Sequence, residues 1–189
     1  MGTGLALAEG TSLGGEMKKV NLKDRIRNIP DFPKAGILFR DITTLLKDKK
    51  AFKSAVDELA NKFKNKKIDL VVAVEARGFI LGGAIAHRLG AGFVPVRKKG
   101  KLPWKTDSVT YDLEYGTDTL EIHHDAIKPN DKILIVDDLL ATGGTVKAVT
   151  DLVKQLQGKI TGIAFLIELT DLKGIDKLKG YPVYSLIKY

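Results

Sequence analysis

Residues 133–145 read ILIVDDLLATGGT, and this stretch decides the fold. Ile133 to Val136 are continuously apolar and β-branched or leucine, as in a strand covered on both faces. Two adjacent acids, Asp137 and Asp138, follow. Next come Ala141, Thr142, Gly143, Gly144 and Thr145, small residues that open the amphipathic segment TVKAVTDLVKQL (145–156). A strand, a short turn and a helix in that order form half of a βαβ unit. In an open α/β sheet, ligands bind beyond the carboxyl ends of the strands, which is where these acids and glycines fall.

The rest of the chain repeats the alternation. AFKSAVDELANKF (51–63) carries Phe52, Val56, Leu59, Ala60 and Phe63 at helical spacing. IDLVVAV (68–74) is a second buried strand, FILGGAIAHRL (79–89) a second helix ended by Gly90, and GFVPV (92–96) a short strand. SVTYDLEY (108–115) and TLEIHHD (119–125) alternate around Gly116-Thr117-Asp118, the signature of a hairpin. TGIAFLIEL (161–169) and PVYSLI (182–187) supply the last strands. These segments predict an α/β fold, a mostly parallel sheet flanked by helices on both faces with an antiparallel hairpin inserted. Residues 17–50 precede the first βα unit as an N-terminal hood, and residues 17–189 are expected to be a single domain. The first sixteen residues, rich in Gly, Thr and Ser and followed by Met17, read as an appended leader.

Composition narrows the function. The 189 residues contain no cysteine, which rules out disulfides and thiolate metal sites and fits a cytoplasmic protein. No apolar run is long enough to span a membrane. The net charge of +8 raises the question of nucleic acid. Lys62, Lys64, Lys66 and Lys67, however, sit at the end of a helix, where cations suit the dipole. Arg97, Lys98, Lys99, Lys101 and Lys105 crowd into one loop, a better match to a multiply charged small molecule. A nucleic-acid-binding regulator would need a reading module such as a helix-turn-helix, and residues 1–50 lack the helical pattern for one.

The Asp pair and the anion-binding turn conflict only if they meet the same part of a ligand. The amides and threonine hydroxyls of Ala141 to Thr145, at the positive end of a helix dipole, form a phosphate pocket. The lysine of a nucleotide P-loop is missing, and so is the G-x-G-x-x-G of a dinucleotide site. A ribose 5-phosphate satisfies both features: phosphate in the turn, ribose hydroxyls on Asp137 and Asp138. Carboxylates beside C1 would also stabilise positive charge developing on the sugar.

The stretch VDDLLATGGT (136–145) resembles the phosphoribosyl-diphosphate motif of the type I phosphoribosyltransferases. FPKAGILFRDIT (32–43), VEARGF (74–79), RKKGKLP (97–103) and YDLEYGTD (111–118) are similar, in order, to the adenine-specific branch of that family. The resemblance runs from about residue 20 to the end of the chain. It implies transfer of ribose 5-phosphate from phosphoribosyl diphosphate to adenine, giving AMP and pyrophosphate as in purine salvage, with Mg²⁺ carried mainly by the substrate rather than by protein ligands. It also implies a homodimer. An oxo-purine transferase on the same scaffold is the nearest rival within catalysis.

The resemblance assigns residues as well. Phe39 stacks on the purine, and the backbone of Leu38 and Arg40 reads its amino edge. Arg77 meets the diphosphate, with a cis Glu75–Ala76 peptide before it. Arg97, Lys98 and Lys101 reach pyrophosphate from a mobile lid that spans 97–108, with Trp104 as a lid anchor or dimer contact. Glu114 manages the N7 proton of the purine, and Tyr115 supports the ribose or diphosphate. His87, His123 and His124 are given no catalytic role.

Overall fold

The computed structural model describes residues 20–112 and 116–189. The expectation for residues 1–16 lies outside the described residues, as do Glu114 and Tyr115. A seven-stranded sheet is built from β3 (Leu70–Val74), β4 (Gly92–Lys98), β5 (Thr106–Asp112), β6 (Thr117–His123), β7 (Lys132–Leu140), β8 (Lys159–Glu168) and β9 (Val183–Lys188). Their spatial order is β5-β6-β4-β3-β7-β8-β9. The four inner pairings from β4 to β9 are parallel; β6 lies antiparallel to both β4 and β5, so the hairpin forms one edge of the sheet.

Two cores explain why the central strands are apolar without alternation. Val71 and Ala73 of β3 and Leu134 and Val136 of β7 face one core, shared with α2 (Lys49–Phe63) and α3 (Arg77–Leu89). Val72, Val74, Ile133 and Ile135 face the other, shared with α4 (Gly144–Gln155). Each strand residue is buried whichever way it points, so a period of two cannot appear in the sequence. Gly90 closes α3 in the left-handed region (φ 67°), its N–H donating a hydrogen bond back to the carbonyls of the last turn.

The hood has a small sheet of its own, with β1 (Arg27–Ile29) antiparallel to β2 (Phe39–Asp41). A single turn of helix, α1 (Thr43–Leu46), follows and buries Leu45. Ile42 and Leu45 are fully buried in the first core, which welds the hood to α2 and the sheet.

Three boundaries differ from expectation. β7 does not stop at Val136: it pairs with β8 through Asp137↔Phe165 and on to Leu140↔Glu168. Both aspartates therefore belong to a strand, and their backbone is fixed by the ladder and not by a loop. In the hairpin, Asp112 pairs with Thr117 and Tyr111 with Asp118. Thr117 and Asp118 are therefore strand residues and not turn residues. Likewise β4 runs through Arg97 and Lys98 and β5 begins at Thr106, so only residues 99–105 connect the two strands where the sequence suggested a lid over 97–108.

Candidate active site

The order of the strands reverses between β3 and β7. From β3 the chain moves through α3 to β4 on one side, and from β7 through α4 to β8 on the other. A crevice opens at such a switch point, beyond the carboxyl ends of the two strands. Here it is a cavity of about 410 Å³, lined by Glu75 to Arg77 after β3, by Asp137 to Thr145 around the end of β7, and by Lys98, Tyr111 and Asp118 from the hairpin side.

Two helices start at this cavity, and neither has a side-chain cap on its first amides. Helix α2, which starts elsewhere, is capped in the usual way: the Asp48 carboxylate accepts hydrogen bonds from the N–H groups of Lys50 (2.9 Å) and Ala51 (3.1 Å). Uncapped amides facing a cavity leave donors, with the dipole behind them, for an anionic ligand. Gly143 supplies the left-handed turn into α4 (φ 79°), a conformation a side chain would resist.

The two acids are treated differently by their surroundings. Asp138 is only 7% exposed, and its Oδ2 sits 2.9 Å from Arg77 Nη2. Burial pushes its carboxyl above the ordinary range, and the Arg77 guanidinium opposes that rise. Asp137 is pushed well above the ordinary range, first by burial of its carboxyl and then by the neighbouring Asp138 charge. The Asp138 N–H donates to its Oδ1 at 2.8 Å. The same oxygen lies against α3: a Cβ built on Gly78 would stand 2.8 Å from it. Gly78 is thus the residue that lets the Asp137 carboxylate reach the start of the helix. The sequence held it in plain view within R-G-F, but nothing local signalled its partner.

Arg77 links the end of β7 to the hood. Besides Asp138, its guanidinium lies 5.1 Å from the centroid of the Phe39 ring. Phe32 meets Phe39 edge-on at 5.1 Å, and Leu38, 45% exposed, lies beside it in an open apolar rim. The Arg40 side chain turns away to Asn28 Oδ1 and to the face of the Tyr189 ring, 3.7 Å from its centroid. The peptide between Glu75 and Ala76 is cis, as expected.

Of the basic residues assigned to the lid, only Lys98 lines the cavity, and it is paired with Asp118 Oδ2 at 3.0 Å. Arg97 is held by Glu75 Oε2 through both Nε and Nη2 at 2.9 Å, and its Nη1 donates to the Lys101 carbonyl. Glu75 also accepts from the Lys98 N–H at 2.7 Å. Burial would raise the Glu75 carboxyl, but that N–H and the Arg97 guanidinium bring it below its ordinary value. Lys101 is exposed and away from the cavity lining. Trp104 is exposed and meets His123 edge-on, and His124 pairs with Asp107 at 2.8 Å. Among the described residues no cluster of His, Cys, Asp or Glu could hold a metal on its own. Tyr111, to which the sequence gave no role, shares a hydrogen bond with the Thr145 hydroxyl at 3.3 Å.

Comparison with known proteins agrees with this geometry. A family model described as the phosphoribosyl transferase domain matches residues 43–185. An adenine phosphoribosyltransferase of Clostridium kluyveri is 62% identical over 170 residues, covering 90% of this chain and 99% of the relative. The chain belongs to the adenine phosphoribosyltransferase family. A crystal structure of the Thermoanaerobacter pseudethanolicus member superposes with a TM-score of 0.87 at 56% identity, covering 89% of this chain and 98% of that one. The Saccharomyces cerevisiae member, solved with adenine and an imino-altritol bisphosphate, gives a TM-score of 0.83 at 42% identity and covers 87% of this chain and 96% of that one. Like other adenine phosphoribosyltransferases, the protein transfers ribose 5-phosphate from phosphoribosyl diphosphate to adenine, forming AMP and pyrophosphate. Among the described residues no helix is long and apolar enough to cross a membrane.

Proposed function

We propose that the switch-point cavity holds phosphoribosyl diphosphate with its 5′-phosphate on the amides and hydroxyls of Ala141, Thr142, Gly143, Gly144 and Thr145. The ribose hydroxyls then fall to Asp137 and Asp138, and the diphosphate to Arg77 and the uncapped start of α3. Adenine stacks on Phe39, and the Leu38 and Arg40 backbone reads its amino edge. The turned-away Arg40 side chain supports that reading, because it leaves the main chain as the recognising group.

In the reaction the N9 lone pair forms a bond to C1 as the C1–O bond to diphosphate breaks, and the diphosphate leaves with the electron pair. Positive charge gathers on the ribose ring, where Asp137 and Asp138 stabilise it electrostatically. The proton lost by the purine is held or exchanged at N7 by Glu114, and Tyr115 supports the ribose or diphosphate. Arg77 and Lys98, joined by Arg97 and Lys101 when the 99–105 connection closes, stabilise the leaving anion and exclude water. Mg²⁺ supplies charge neutralisation on the diphosphate. Among the described residues the cavity lining carries four carboxylates, of which Glu75 and Asp118 are paired with Arg97 and Lys98 and Asp137 and Asp138 form the ribose site, so the ion would be held mainly by substrate oxygens and water. The protein is further read as a cytoplasmic homodimer, the dimer supported by the apolar side chains of Ile80 on α3 and Phe93 on β4, which are exposed.

The observation that carries this assignment is the Arg77 guanidinium lying between Asp138 and the Phe39 ring, which ties ribose, diphosphate and base positions together. Replacing Asp137 and Asp138 together by alanine should lower kcat/KM for AMP synthesis by about 10³-fold or more. AMP synthesis at the wild-type rate in that variant would refute it.

A further inference from the structure

We propose that Gly174, in the connection between β8 and β9, is a positioning residue for the 5′-phosphate turn. The inference rests on the reading of Ala141 to Thr145 as that turn. Gly174 is buried, and its backbone lies outside the left-handed region, so it is not glycine for the sake of φ. It is glycine because of what it touches. A Cβ at Gly174 would stand 2.1 Å from the Ala141 carbonyl oxygen and 2.9 Å from the Gly143 nitrogen. The contact is reciprocal: a Cβ at Gly143 would stand 2.5 Å from the Gly174 carbonyl oxygen. Two backbones thus meet with no side chain between them.

The consequence follows from the planarity of the peptide. The Ala141 carbonyl and the Thr142 N–H belong to one rigid unit and point in opposite directions. With Gly174 pressed behind the carbonyl, the Thr142 N–H is aimed away from Gly174. The connection that carries Gly174 is itself anchored. Leu178 is buried in the second core, and the Leu169 N–H donates to the Leu140 carbonyl at 2.9 Å, directly beside the turn. Lys173, in the left-handed region (φ 51°), makes the sharp step that presents Gly174. A side chain at 174 has no flexible neighbour to push aside, only backbone, so relief requires the turn itself to move by about an ångström. Displacements of that size in a positioning group cost about 10²-fold in rate.

The test uses steady-state kinetics with ribose 5-phosphate binding as a second readout. Gly174→Ala should raise KM for phosphoribosyl diphosphate and Kd for ribose 5-phosphate about tenfold or more, leaving KM for adenine at saturating phosphoribosyl diphosphate within about twofold. Gly180→Ala is the control for general damage. It sits in the same connection at φ 93° with open space around it, so it should lower Tm and leave both KM values unchanged. If Gly174→Ala does not fold, Lys173→Gly, which the native φ accepts, should soften the buttress and weaken ribose 5-phosphate severalfold. A folded Gly174→Ala with wild-type KM for phosphoribosyl diphosphate, a rise in both KM values alike, or a Lys173→Gly with unchanged affinity would each overturn the proposal. Thr145→Ala separates the two levels: if it weakens ribose 5-phosphate while Gly174→Ala does not, only the role of Gly174 falls. If neither does, the phosphate-turn reading falls with it.

Discussion

At the scale of single residues, the site holds charge it would rather not hold. Asp137 and Asp138 both have carboxyls raised above the ordinary range by burial, and Asp137 further by its neighbour. A folded-state value above the unfolded one means the native protein takes up protons more readily. This contribution therefore favours folding at low pH and is lost as pH rises through the raised value. Asp137→Asn, which keeps an oxygen for the Asp138 N–H, should melt at a higher temperature than wild type at neutral pH, with a smaller difference near pH 4, while losing AMP synthesis. A thermal melt series from pH 4 to 8 checks the sign; a variant that is less stable at neutral pH contradicts it. Gly78→Ala should act on the same carboxylate from the other side. It should cost about 1–3 kcal/mol by overpacking and lower kcat at least tenfold or so by displacing Asp137, read by kinetics and denaturant titration. The aspartates and the glycine turn were legible in the sequence because their chemistry is local. Gly78 and Gly174 were not, because each is glycine on account of an atom many residues away.

Elements show the same division. Helix periods, buried strands and the Gly90 stop could be read directly, since each depends on residues within a turn or two. The continuation of β7 through Asp137 and Asp138 could not, because it is imposed by pairing with β8, and acidic residues argue locally against a strand. Two residues of the expected hairpin turn differ for a similar reason: Gly116-Thr117-Asp118 reads as a turn, but Thr117 and Asp118 are held in the ladder by Asp112 and Tyr111. Pairing also exposes a contact between layers that periodicity hides. Gly162 of β8 faces Phe63 at the end of α2, where a Cβ would approach the ring to 2.3 Å. Gly162→Ala should destabilise by about 1–3 kcal/mol with little change in either KM. Chemical denaturation measures the first and steady-state kinetics the second; an unchanged midpoint would show that the ring moves freely. Glu114, in the hairpin, was assigned by family likeness and not by spacing.

For the whole molecule, a doubly covered sheet places its switch point between β3 and β7, and the uncapped starts of α3 and α4 converge there. Stability against acid comes from other carboxylates, two of them, Glu75 and Asp118, in the same cavity lining. Asp41, Asp57, Glu75 and Asp118 are held below their ordinary values, Asp41 by hydrogen bonds from Thr43, Asp57 by Lys53 and Arg88, Asp118 by Lys98, and Glu75 by Lys98 and Arg97 against its burial. Depressed values stabilise the native state above the ordinary carboxylate range. That support is lost as pH falls through and below it, so unfolding should set in below about pH 4. A circular-dichroism titration that places the acid transition near neutrality would contradict this. The reaction class was legible because the acids and the phosphate turn follow one another in the chain. The base site was legible only through family likeness, because Phe39 comes to the cavity by way of Arg77 and not by sequence proximity. The central claim is most directly tested by a crystal structure of the protein with phosphoribosyl diphosphate. The 5′-phosphate is expected on the amides of residues 142–145 and the ribose hydroxyls on Asp137 and Asp138. A phosphate bound elsewhere, with those amides facing solvent, would contradict it.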